Sequence, residues 1–155
     1  MAQVTVGHPV PDFELAATGG QRFRLSQHRG RILVLYFYPK DNTPGCSNEA
    51  KDFARLYPDF ANAGAEILGV SRDSLKSHEN FKAKLGLPFL LAADPEETVC
   101  ELFGVMKVKN LYGKQMRGIE RSTFVIDAKG VLVREWRVVK VPGHAEEVLR
   151  FVRTL

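Results

Sequence analysis

The chain is poor in cysteine, with only Cys46 and Cys100 among its 155 residues. Two thiols cannot build the disulfide framework of a small secreted domain. There is no C-x-x-C, which argues against a dithiol disulfide oxidoreductase. The four histidines, His8, His28, His78 and His144, lie far apart and match no zinc-ligand spacing. No metal, haem or flavin motif occurs either, so neither metal nor cofactor is expected. No apolar run approaches the ~20 residues that span a bilayer, and the longest, Ile32 to Tyr38, has the length of a strand. The basic-then-apolar pattern of a secretory signal is missing, so the expected location is the cytoplasm, with no membrane contact. Basic runs are missing too. Twenty-two Lys and Arg face 18 Asp and Glu, and the resulting charge of +4 is scattered, which speaks against a nucleic-acid partner. Without repeat, linker or low-complexity tract, residues 1–155 read as one domain.

What is present is an ordinary globular composition, 45% hydrophobic and 26% charged. Phe13 and Leu15, then Phe23 and Leu25, alternate with polar neighbours around Gly19-Gly20, as in a short hairpin. The stretch 31–38, RILVLYFY, reads as a central strand covered on both faces. A helix follows over about 44–63, with Ala50, Phe53, Ala54, Tyr57 and Phe60 at helical spacing and Pro58 expected to kink or interrupt it. Residues 66–70 form the next strand. Ser74 caps a helix that Gly86 ends, and 89–92 is a short strand. Asp94-Pro95-Glu96-Glu97 reads as a helix start, with Asp94 as the cap and Pro95 at the first helical position; this helix carries Cys100. Two strands, 122–126 and 131–138, meet at a turn over 127–130, and a last helix runs from about His144. The order β-α-β-α-β-α-β-β-α predicts an α/β fold, a mixed central sheet flanked by helices. It looks thioredoxin-like, with an N-terminal hairpin extension.

The segment from Tyr38 to Ser47 follows the central strand and opens a helix, where α/β sheets carry their sites. Thr43 suits the cap position, its hydroxyl able to accept from a first-turn amide, and Pro44 suits the position after it. Cys46 then falls in the first turn, where unpaired amides and the positive end of the helix dipole favour a thiolate. Gly45 allows a close approach by substrate or backbone. The thiolate is the reactive form of cysteine, so Cys46 is the candidate nucleophile.

Pro39, Thr43 and Cys46 also match the P-x-x-x-T-x-x-C signature of the peroxiredoxins. The longer string YPKDNTPGCSNEA resembles the bacterioferritin comigratory protein, or PrxQ, subfamily, as do PDFEL, ILGVSRDS and GIERSTFVID. The resemblance covers essentially the whole chain. It implies a thiol-dependent peroxidase that reduces hydrogen peroxide and organic hydroperoxides through a cysteine sulfenic acid. It further implies that Cys46 attacks the O–O bond, Thr43 orients the peroxide and Pro39 shields the thiolate. Arg121 would support the thiolate and the developing charge, with Glu49 as its partner. A surface ion pair of Arg121 with Glu120 or Asp127 is the competing possibility. Thioredoxin, glutaredoxin or glutathione would be the reductant, and the chain a monomer or weak dimer.

The chain departs from that subfamily in lacking its usual resolving cysteines: Lys51 stands five residues after Cys46, and 81–84 holds none. Cys100 is the one remaining candidate, beside Val99, Leu102 and Phe103, where it also reads as a buried structural thiol. A one-cysteine cycle is therefore expected. A two-cysteine cycle through Cys100, an intermolecular disulfide, and a peroxide sensor or adaptor are the alternatives.

Overall fold

The computed structural model describes residues 4–155. Two short antiparallel strands, β1 (Glu14–Ala17) and β2 (Gln21–Arg24), form the hairpin expected around Gly19-Gly20, and a 3₁₀ turn over Leu25–His28 follows. Strand β3 (Ile32–Phe37) leads through a loop into helix α1 (Pro44–Asn62), which returns to β4 (Ala65–Ser71). Helix α2 (Leu75–Leu85) and strand β5 (Leu90–Ala93) complete the second crossover. Then come α3 (Thr98–Leu102), a separate hairpin of β6 (Met106–Leu111) and β7 (Lys114–Ile119), strands β8 (Ser122–Ile126) and β9 (Leu132–Arg137), and α4 (His144–Val152).

The main sheet has seven strands in the order β2-β1-β5-β4-β3-β8-β9. Strands β3, β4 and β5 run parallel, and β8 lies antiparallel to β3. The alternation in RILVLYFY divides two cores. Leu33, Leu35 and Phe37 face one side with Phe103 and Phe124; Val34, Tyr36 and Tyr38 face the other with Phe53, Phe60 and Phe81. Helices α1, α2 and α4 cover the second side, while α3 and the N-terminal segment cover the first. All six residues of β3 are buried, as its unbroken apolar run requires.

Three expectations are corrected. Pro58 does not interrupt α1, which is continuous over Pro44–Asn62. Its ring is on the exposed face, where water can serve the carbonyl it leaves unpaired, while buried Phe53, Leu56 and Phe60 hold the helix down. Asp94-Pro95-Glu96-Glu97 is a turn rather than the first turn of a helix. Glu97 is left-handed (φ 65°), held by Arg72 and Arg117, and α3 starts at Thr98. Asp94 still serves the helix, accepting from the Cys100 amide at 2.7 Å. Finally, residues 105–121 carry an unanticipated hairpin. Tyr112 (φ 53°) and Gly113 (φ 76°) form its two-residue turn, both with the positive φ that a twisted hairpin favours.

His144 opens α4 and is buried, with Nε2 2.8 Å from the Thr123 hydroxyl oxygen. Burial pushes its pKa from 6.5 to about 4, against the pull of Glu147. The unfolded chain therefore binds a proton that the folded one refuses. The resulting stability is intact above the ordinary histidine value and drains away as pH falls toward about 4. The loss should reach on the order of 3 kcal/mol. Urea unfolding of the wild type between neutral and mildly acidic pH should show it, and His144→Gln should flatten that part of the profile.

Candidate active site

The site sits where β3 ends. The Tyr38 amide still donates to the Val70 carbonyl at 3.1 Å, and the chain then leaves the sheet. Asn42 adopts a left-handed conformation (φ 64°), which turns the loop into α1. Thr43 occupies the cap position and Pro44 the next, so Cys46 is the third helical residue, 1% exposed.

The Thr43 hydroxyl does not cap the helix, contrary to expectation. It donates to the Lys40 carbonyl at 2.9 Å, closing the loop upon itself. The first-turn amides, which have no partner within a helix, are thus left without that side chain. They remain available beside the thiol for an anion or a peroxide oxygen.

Arg121 comes from the opposite direction. Phe37 pairs with Ser122 across β3 and β8, which sets residue 121 level with the start of the loop. Its Nη2 donates to Cys46 Sγ at 3.2 Å, and its Nη1 donates to Glu49 Oε1 at 2.6 Å. Burial works against the guanidinium charge, but Glu49 and Cys46 outweigh it and raise Arg121 above its ordinary pKa. Gly45 spares this approach a tight contact, because a Cβ there would stand 3.2 Å from Arg121 Nη2. The close neighbour at Gly45 is this side chain, rather than the substrate or backbone anticipated there. Arg121 is bonded to Glu49 rather than to Glu120 or Asp127. Pro39 is exposed at the rim of the loop, one residue beyond buried Tyr38.

A second layer was not anticipated from the sequence. Asp41 is buried, and its carboxylate accepts from the Tyr38 hydroxyl at 2.6 Å and the Ser77 hydroxyl at 2.8 Å. His78 Nδ1 lies 2.8 Å from the same carboxylate, and Nε2 lies 3.0 Å from the Ala92 carbonyl. The Asp41 amide donates to Asp73 at 2.8 Å. Burial works to raise the Asp41 carboxyl, but the bonds from His78, Tyr38 and Ser77 hold it below the usual aspartate value. Among the described residues, Asp41, Asp73 and His78 form the one group whose donor atoms converge within 4.8 Å, as a cation would need. Those atoms are already engaged with one another and with the loop. The only sequence signal was a histidine and two aspartates near strand ends, spread over 37 positions.

Cys100 lies in the other core, with Val99, Phe103 and Phe124. Burial first, then Asp94, drives its thiol well above the ordinary cysteine range. The thiol is fully buried, away from Cys46. A concavity of about 390 Å³, lined by Arg22, Phe23, His28, Arg31 and Phe89, borders the beginnings of β3 and β4. Cys46 is at the other end of those strands, where a thiol, a guanidinium and the first-turn amides of α1 converge.

A buried thiol at the head of a helix, met by an arginine, on this sheet topology defines a thioredoxin-like, cysteine-based oxidoreductase. The AhpC/TSA family model matches residues 6–135. Peroxiredoxin Bcp of Xanthomonas campestris is 56% identical over 138 residues, covering 89% of this chain and 86% of that one. Peroxiredoxin Bcp of Bacillus subtilis is 47% identical over 152 residues, covering 98% and 97%. A solved structure of the X. campestris bacterioferritin comigratory protein, described in terms of its alkyl peroxide reduction activity, superposes with a TM-score of 0.91 at 50% identity, covering 97% of this chain and 98% of that one. The chain belongs to the AhpC/TSA family, within its peroxiredoxin Bcp/PrxQ branch. It is a thiol-dependent peroxidase, an oxidoreductase acting on hydroperoxides at the expense of thiol reductants.

Asp41→Ala would leave His78, Tyr38 and Ser77 facing an emptied, buried acceptor position. It should destabilise the protein by about 3–5 kcal/mol. It should also slow peroxide reduction at temperatures where the variant remains folded, because the loop before Cys46 loses its anchor. Denaturant midpoints and stopped-flow rates on one preparation test both.

Proposed function

We propose that Cys46 is the peroxidatic nucleophile and that the enzyme runs a one-cysteine cycle, re-reduced by an external thiol such as thioredoxin, glutaredoxin or glutathione. The observation that carries the reading is the separation of the two thiols by the sheet. Cys46 belongs to the core with Tyr36 and Phe53, Cys100 to the core with Phe37 and Phe124. A disulfide needs Cα atoms within ~7 Å, and β3 and β8 stand between these two cores.

In the first step the Cys46 thiolate attacks the terminal peroxide oxygen in line with the O–O bond. The S–O bond forms, the O–O bond breaks, and the electron pair leaves with water or an alcohol once a proton is supplied. Arg121, 3.2 Å from the sulfur, balances the thiolate and can stabilise charge on the oxygens. In this reading Thr43 orients the peroxide, Pro39 screens the rim and Glu49 steadies Arg121. A reductant thiol then condenses with the sulfenic acid, releasing water and leaving a mixed disulfide. A second thiol attacks that disulfide and frees Cys46. The reading extends to a single-domain monomer or weak dimer working among cytoplasmic thiols, with neither nucleic acid nor membrane as partner. No helix among the described residues is long and apolar enough to cross a membrane.

Cys46→Ser should abolish turnover, whereas Cys100→Ser should keep most of it with a small-thiol reductant. One equivalent of hydrogen peroxide without reductant should add oxygen to both wild type and Cys100→Ser by intact mass. Loss of two hydrogens in the wild type alone would make Cys100 the resolving residue. Excess peroxide should carry Cys46 on to sulfinic acid. Arg121→Gln, which removes a charged donor from the reacting centre, should slow Cys46 oxidation by about 10²–10³ in a single-turnover measurement.

A further inference from the structure

Cys46 and Glu49 lie three residues apart on α1, so both leave the same side of the helix. One guanidinium meets both: Arg121 Nη2 is 3.2 Å from the sulfur and Nη1 is 2.6 Å from Glu49 Oε1. Arginine stays cationic throughout. The site therefore holds one fixed positive charge and two groups able to carry a negative one.

The Glu49 side chain is 2% exposed, and its second oxygen, Oε2, is buried with no hydrogen-bond partner among the described residues. An ionised carboxylate in that position would hold charge on an oxygen that no group solvates. The neutral acid escapes that cost. The surroundings add little to offset it. Tyr36, from β3, is buried with its hydroxyl unpartnered, and burial keeps it un-ionised, with Glu49 and Cys46 adding to the effect. Asp52, from α1, adds negative charge, and His144, from α4, is kept neutral at pH 7 by burial. Burial outweighs the pull of Arg121 and raises the Glu49 pKa to about 7.

We propose that Cys46 and Glu49 share a single negative charge across the catalytic step: Cys46 carries it as the thiolate while Glu49 is the neutral acid, and as Cys46 becomes a sulfenic acid Glu49 gives its proton to the departing oxygen. The proposal rests on Cys46 being the nucleophile. The step balances. Thiolate, hydroperoxide and protonated Glu49 become sulfenic acid, alcohol or water, and the Glu49 carboxylate. The sulfur is oxidised by two electrons, and the peroxide oxygens are reduced by two. Arg121 couples the two events. When the sulfur loses its charge, the guanidinium loses one counter-ion, and its field then favours ionised Glu49. Reduction reverses the exchange, because the thiol that releases Cys46 from the mixed disulfide returns its proton to Glu49.

The test counts protons. Wild type and Glu49→Gln are oxidised by one equivalent of hydrogen peroxide, without reductant, in weakly buffered indicator dye at about pH 8, above the value of about 7 that Glu49 has with no charge on Cys46, so that the carboxylate formed on oxidation stays ionised. Glutamine keeps the acceptor toward Arg121 and nearly the same volume, but it holds no transferable proton. The wild type should take up no proton from solution, and the variant should take up one for each Cys46 oxidised. One proton taken up by the wild type, or none by either protein, overturns the proposal. The infrared difference spectrum of the wild type is a second measurement that needs no variant. It should lose a protonated-carboxyl band on oxidation, and its persistence overturns the proposal as well. Intact mass on the same samples separates the two levels. If Cys46 gains oxygen while the proton count fails, only the shared-charge proposal falls. If Cys46 gains none, the nucleophile assignment falls and the proposal with it.

Discussion

The contact of one guanidinium with both Cys46 and Glu49 is the interaction on which the rest of the site depends. It requires three separate parts of the fold to agree. The register of β3 against β8 fixes where Arg121 begins its reach. The loop over 38–43 fixes where α1 begins, and so the height of Cys46. Gly45 spares the guanidinium a tight contact with a side chain at that position. A shift of one residue in the strand pairing would turn the neighbouring side chain to the other face and remove the cation from the thiol.

The loop is held to the same standard by a different means. Asp41 is the hub, tied to Tyr38 at the strand end and to Ser77 and His78 on α2. Through the Asp41 amide the network also reaches Asp73, which accepts from Ser71 at the end of β4. The head of α1 is thus braced against the next strand and helix rather than left to the intrinsic geometry of the loop. Thr43 makes no cap bond and instead closes the loop through Lys40.

The sequence disclosed those features whose cause is local. An unbroken apolar run made β3 readable, and proline at the head of a periodic segment made α1 readable. The motif around Cys46 pointed to the proposed nucleophile and its neighbours. What escaped has non-local causes. The β6–β7 hairpin has little core-facing surface, and its residues Lys107, Lys109, Lys114 and Arg117 are exposed, so hydrophobic periodicity gave no sign of it, although Tyr112-Gly113 was a turn signal. The turn at Asp94 was misread because Glu97 is held left-handed by arginines 25 residues before it and 20 residues after it. The bonds of Asp41 to α2 depend on how the second crossover packs, which no local pattern encodes.

The position of Cys100 behind the sheet has a kinetic meaning. In the proposed cycle the oxidised enzyme has no internal partner with which to relax. It waits for a second molecule as it first waited for a peroxide. Both halves are then bimolecular, and the fraction of the population standing oxidised at any moment is set by the ratio of two collision frequencies, one with hydroperoxide and one with thiol. In that cycle, a sulfur buried in the other core makes the protein's own oxidation level a running comparison of the two pools around it.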